Sequence, residues 1–154
     1  MGLDVRVYQD VRLVDEGDDY SFKAMVVDED WNERIKNLKN GALYDGTLVG
    51  NFISYAYSAH NRFRESLSEL IGLGKNGWEN GNGKLDRETP FYEFFEFADN
   101  EGCMDFETSQ NLFNDFELFE NLATKSLDAY FIDNYNSWKQ VFKLGKENGV
   151  VVFR

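Results

Sequence analysis

The chain is short of several residue types, and each shortage excludes something. Cysteine occurs once, at Cys103, so no internal disulfide can form. Histidine also occurs once, at His60, and one Cys with one His cannot make a Cys/His structural zinc set. Proline occurs only at Pro90, and no Pro- or Ser-rich linker divides the chain, which predicts one domain over residues 1–154. No run approaches the ~20 apolar residues that a membrane-spanning helix needs. The opening MGLDVRVYQD alternates charged and apolar residues and lacks the apolar region of a secretory signal. Gly2 follows Met1, but Arg6 stands where a myristoylation signal has Ser or Thr. These absences predict a cytoplasmic protein with no membrane partner.

Basic residues are scarce as well. Sixteen Lys and Arg face 28 Asp and Glu, a formal net charge of −12. Such a chain repels nucleic acid and anionic membranes, whose recognition needs basic patches. It attracts instead a protein partner with a basic surface. The motifs of common catalysts are missing too: there is no G-x-S-x-G, Walker A, H-E-x-x-H or G-x-G-x-x-G. No cofactor is expected.

Aromatic residues are plentiful: 14 Phe, eight Tyr and three Trp. Most fall at helical spacing, which places them in a core. Phe91, Phe94, Phe95 and Ala98 follow i, i+3, i+4, i+7. Leu112, Phe116, Phe119 and Ala123 form a second stripe, and Leu127, Phe131, Tyr135, Trp138 and Phe142 a third. Tyr92, Phe97 and Trp78 lie off these stripes, where they would line a groove or join a homo-oligomer interface.

Leu3, Val5, Val7, Val11 and Leu13 alternate with charged residues, the signature of a half-buried strand. A turn at Asp15–Asp19 and the apolar run Ser21–Val27 predict a hairpin over the first 28 residues. Asp28 to Lys39 reads as a short helix, acidic at its start and basic at its end. Thr47 to Tyr57 reads as a strand and Ser58 as the cap of a helix that Gly72 and Gly74 stop near Ile71. Thr89 and Pro90 predict the start of another helix, ending near Asp99. Asn100–Asp105 turns the chain, helices follow over about 107–123 and 127–146, and Val150–Phe153 is apolar enough for a central strand. The expected fold class is α+β: an antiparallel or mixed sheet of about four strands packed against three to four helices.

One stretch stands out. YSAHNRFRE, residues 57–65, places the only histidine and two arginines at the start of a helix in an acidic chain. On a helical wheel His60 and Arg64 project together toward the seam between core and solvent, and Arg62 points away. Cations at a helix start oppose the macrodipole at roughly 0.3–1 kcal/mol each, so something must offset them. Either Arg64 pairs with a carboxylate of the turn Asp99–Asp105, or the element binds an anion. The candidate ligand-binding residues are therefore Tyr55, His60, Arg64, Asp99 and Glu101, with His60 as acid/base and Arg64 as anion clamp if the site is a small enzyme's.

FADNEGCMD, residues 97–105, gathers three carboxylates but has no EF-hand spacing. Its simpler reading is punctuation, with Gly102 ending one helix and Asp105 capping the next, so no metal site is expected. Cys103, His60 and Asp99 are the residue types of a nucleophilic triad, but neighbouring carboxylates disfavour the thiolate.

MGLDV at the start, Y-S-x-H-x-x-F-R at Tyr57 to Arg64, D-N-E-G at Asp99 to Gly102 and G-V-V-V-F at the end resemble elements of a group of uncharacterised bacterial and phage-associated proteins. The group's turn more often reads D-C-E-G; here Asn100 replaces that Cys, against thiol chemistry. The resemblance implies no activity. It implies that the His60/Arg64 element and the Asp99–Glu101 turn lie together. The leading expectation is a non-enzymatic acidic binding protein that engages a protein partner. The alternative is a small enzyme or anion-ligand binder.

Overall fold

A long strand, β1 (Gly2–Val14), needs a partner of matching length, and finds it in β3 (Leu43–Ala56), with which it pairs antiparallel from Gly2↔Ala56 to Val14↔Leu43. The structure, a computed structural model, describes residues 2–25, 36–79, 85–97 and 102–154, with the backbone alone described at 51 and 52. The other strands are β2 (Phe22–Lys23), β4 (Gly102–Met104) and β5 (Gly149–Phe153). The helices are α1 (Tyr57–Leu70), α2 (Tyr92–Glu96), α3 (Phe106–Ala123) and α4 (Ala129–Gly145). The class is α+β. The described strands form one antiparallel sheet in the order β2-β3-β1-β5-β4. Its edges converge: Phe22 and Met25 share a pocket of about 220 Å³ with Gly102 and Cys103. The sheet is therefore curled, and α4 packs across β3, β1 and β5.

Several local expectations change. The sheet has five described strands rather than about four, because Cys103 and Met104, read as part of a turn, are buried and pair with β5. The predicted hairpin does not form; β2 pairs with β3 instead, since a two-residue strand cannot satisfy the length of β1. The alternation in β1 holds through Val7 and then slips. Register shifts after Val7 and Gln9, with Asp10 at φ 53, bury Tyr8 and leave Leu13 exposed. The predicted helix at 28–39 lies mostly outside the described residues, and Lys36–Lys39 is irregular.

β3 runs straight into α1 without the expected Ser58 cap; the cap position is Ala56, with no side-chain bond. The stop is as expected: Gly72, at φ +85, lets its N–H reach the Glu69 carbonyl. α2 is shorter than predicted. Phe91 sits at φ 60 ahead of it, its N–H held by the Asp115 carboxylate at 2.9 Å, and the helix ends at Glu96. Gly102 begins β4 rather than ending a helix, whereas Asp105 caps α3 as expected, accepting from Thr108 N at 2.9 Å. Asp128 caps α4 in the same way. β5 is central, between β1 and β4.

The aromatic stripes fill the space between sheet and helices. Phe91, Phe94, Phe116, Phe142 and Trp138 are fully buried and meet largely edge to face, as at Phe91–Phe116 and Phe94–Trp138, both 4.8 Å between centroids. The off-stripe rings differ from expectation. Tyr92 and Phe97 join the core, Phe97 lying 4.5 Å from Phe153, and Trp78 packs half-buried against it. Leu127, placed on the third stripe by spacing, precedes α4 and is fully exposed. No described helix is long and apolar enough to cross a membrane.

Candidate functional site

Tyr55, near the end of β3, and His60, in the first turn of α1, lie on either side of the junction where strand becomes helix. That junction folds the two side chains onto each other: Tyr55 Oη lies 2.7 Å from His60 Nδ1. Trp138 of α4 donates its Nε1–H to the same Tyr55 oxygen at 3.0 Å. The Tyr55 hydroxyl thus links the indole of α4 to the imidazole of α1, with the proton between Oη and Nδ1 placed by the histidine tautomer. Its ring packs 5.3 Å from Phe94 and 5.5 Å from Trp138. Burial, and secondarily the Arg64 charge, lowers its pKa from 6.5 to about 2. The ring is therefore neutral at ordinary pH.

Arg64 is one turn further along α1, so it projects beside His60. Both are more deeply buried than the wheel predicts, which places them at the seam with solvent: His60 is 1% and Arg64 5% exposed. Arg64 Nη2 donates to the Phe97 carbonyl at 2.8 Å, and its guanidinium stacks over Trp78 at 5.2 Å and Phe94 at 6.0 Å. The carbonyl it holds belongs to the residue that follows α2. Arg64 thus ties α1 to the start of the segment FADNEGCMD. Asp99 and Glu101 of that segment lie outside the described residues.

The structure therefore brings together Tyr55, His60 and Arg64 and adds three residues that spacing alone does not select: Trp138, Phe97 and Trp78. Trp138 carries a sequence signal of its own, an indole in the middle of an apolar stripe, because a buried indole N–H needs an acceptor. Trp78 Nε1 is buried with no hydrogen-bond partner among the described residues.

Cys103 sits on β4 with its thiol pushed up to about 11 by burial, so it is protonated and no thiolate nucleophile forms. Among the described residues no group of three His, Cys, Asp or Glu side chains is placed to hold a metal ion.

A different region offers open surface. Nine large apolar side chains among the described residues are exposed, and four of them, Leu118, Leu122, Leu127 and Tyr130, fall at the α3–α4 corner. Beside that corner a groove of about 400 Å³ runs between it and the C-terminal half of α1, with Leu70, Leu122 and Phe131 among its lining and Glu69 and Asp128 at its polar part. Lys139 of α4 bridges Glu117 at 3.1 Å and Glu120 at 2.9 Å of α3. Leu118 and Leu122 fall off the Leu112–Phe116–Phe119–Ala123 stripe, which is the signal that leaves them uncovered, whereas Leu127 sits on the third stripe and only the fold shows it exposed. No family model, curated protein or solved structure matches the chain.

Proposed function

We propose that this protein is a non-enzymatic acidic binding module that engages a protein partner bearing a basic surface. The observation that carries the reading is the cluster of exposed leucines at the α3–α4 corner of a chain with net charge −12: Leu118 is 73% and Leu122 50% exposed, and Leu127 is fully so. An apolar centre supplies affinity, and surrounding negative charge steers a basic partner and rejects acidic ones. The buried His60 and Arg64 support the reading from the other side, since both serve interior packing. The resemblance to phage-associated bacterial proteins and a cytoplasmic setting are compatible with such a role.

The test is retention of partners by the immobilised chain, compared with a Leu118→Asp/Leu127→Asp variant and between roughly 50 and 500 mM salt. A basic partner held by the wild type, lost by the variant and released by salt supports the proposal. Retention insensitive to both contradicts it.

A second reading, an anion-ligand site around His60, Arg64, Asp99 and Glu101, draws on one observation: the buried Trp78 N–H without a hydrogen-bond partner among the described residues, beside a buried guanidinium. Titration with phosphate and acetate, followed by Trp fluorescence in wild type and Trp78→Phe, tests it. A saturable change lost in the variant supports the anion site, and no change removes it.

A further inference from the structure

We infer that the groove between α1 and the α3–α4 corner receives a single basic, amphipathic helix of the partner protein. The inference rests on the binding-module reading and specifies its mode. Three features of the groove select the occupant. Its apolar lining is short and contiguous with one corner: Leu70 from α1, Leu122 from α3 and Phe131 from α4. Five of its eight lining residues are helical and the other three, Lys125, Ser126 and Asp128, belong to the short α3–α4 connection, so no strand edge is there for an extended peptide to join and side chains must provide the hold. Its charge is mainly negative, with Glu69 and Asp128 against one cation, Lys125.

Glu69 is exposed on the last turn of α1. Asp128 uses Oδ1 to cap α4, accepting from Tyr130 N at 3.0 Å and Phe131 N at 3.3 Å, so its second oxygen faces outward without a hydrogen bond among the described residues. Apolar side chains one turn apart on an incoming helix would reach the Leu70–Leu122–Phe131 floor, while Lys or Arg on its flanks would meet the two carboxylates. Leu127 and Tyr130, each next in sequence to a lining residue, are exposed as well. A second copy of this chain is the weaker occupant, because two surfaces of net charge −12 repel.

The probe is a stapled helical peptide of roughly 14 residues with Leu along one face and Lys on both flanks, beside a counterpart with Glu in place of Lys. It is titrated into the full ¹⁵N-labelled chain. Saturable shifts at Ser66–Leu70 and Leu122–Phe131 are expected, with binding weakened roughly tenfold by Leu122→Asp and several-fold by Glu69→Lys. Leu122 is half-exposed, so its variant should fold, and circular dichroism checks that it does. Shifts elsewhere, no saturable shift, or equal binding of the Glu peptide would overturn the helix-in-groove proposal. A captured basic partner that still binds Leu122→Asp would overturn it while leaving the binding-module reading intact. Concentration-dependent dimers abolished by Leu122→Asp would assign the groove to a second copy and overturn it too.

Discussion

Acidification should destabilise this protein through one residue, His60. In the unfolded chain the imidazole takes a proton near pH 6.5, but in the fold burial and Arg64 hold its pKa at about 2. A base whose pKa is depressed by folding contributes its full stability above the unfolded value and loses it as pH falls below that value. Each unit below 6.5 costs about 1.4 kcal/mol, so moving from pH 7 to pH 5 costs about 2 kcal/mol. The figure requires only that the folded pKa lie well below 5. Asp115 acts in the opposite sense. Burial raises its carboxyl to about 6, against the Phe91 N–H bond that lowers it and with help from Glu93. Its folded form therefore takes up a proton before the unfolded form does, and acidification from pH 6 toward 4 relieves a burden. Wild-type stability over this range is a partial cancellation, so Asp115→Asn, which keeps an oxygen for the Phe91 N–H, is the proper background. Urea unfolding of Asp115→Asn and of Asp115→Asn/His60→Asn at pH 7, 6 and 5 isolates the histidine. The amide that replaces the imidazole in the double variant keeps a hydrogen-bonding group for Tyr55, as donor or acceptor, but does not titrate. The stability gap between the two proteins should shift by about 2 kcal/mol against the histidine between pH 7 and 5. Parallel pH profiles would refute the buried neutral imidazole.

Further outcomes follow from single contacts. Tyr135→Phe removes a 2.6 Å bond to the Phe116 carbonyl across the α3–α4 interface, and should cost about 0.5–1.5 kcal/mol in urea unfolding, since that carbonyl keeps its bond within α3. Gly145→Ala places a Cβ 2.6 Å from Ser109 Oγ and 2.8 Å from Val151 Cγ2; overpacking of about 1–3 kcal/mol should appear as a lower thermal midpoint. Leu127→Asp alters a fully exposed side chain, so stability should stay within about 0.5 kcal/mol while partner retention falls.

Much of this fold is legible from spacing alone. The α3 and α4 boundaries, the Asp105 cap and the central place of β5 follow from local chemistry: a 3.6-residue stripe, an acid ahead of it, a run of valines. What is not legible depends on partners distant in sequence. The pairing of β1 with β3 is hidden by a nearer apolar run at 21–27, and the slip after Val7 falls where Gly50 and Gly46 of the partner strand stand, glycines that mark a bulge only once that pairing is known. At the site, the wheel brings His60 and Arg64 to one side of α1. Their depth comes from α4 and the α2 segment, which supply Trp138, Phe94 and the Phe97 carbonyl from up to 83 residues away from Tyr55. The exposed corner at 118–130 is half visible: Leu118 and Leu122 lie off the α3 stripe, but Leu127 lies on the α4 stripe, and only the folded neighbours show that it lacks cover.

Hydrogen–deuterium exchange of the full chain, alone and with a captured basic partner, tests the central claim most directly. The account predicts added protection at residues 66–70 and 118–131 and none along β2 or β4. Protection confined to the sheet edges, or a bound partner that protects neither helix region, would contradict it.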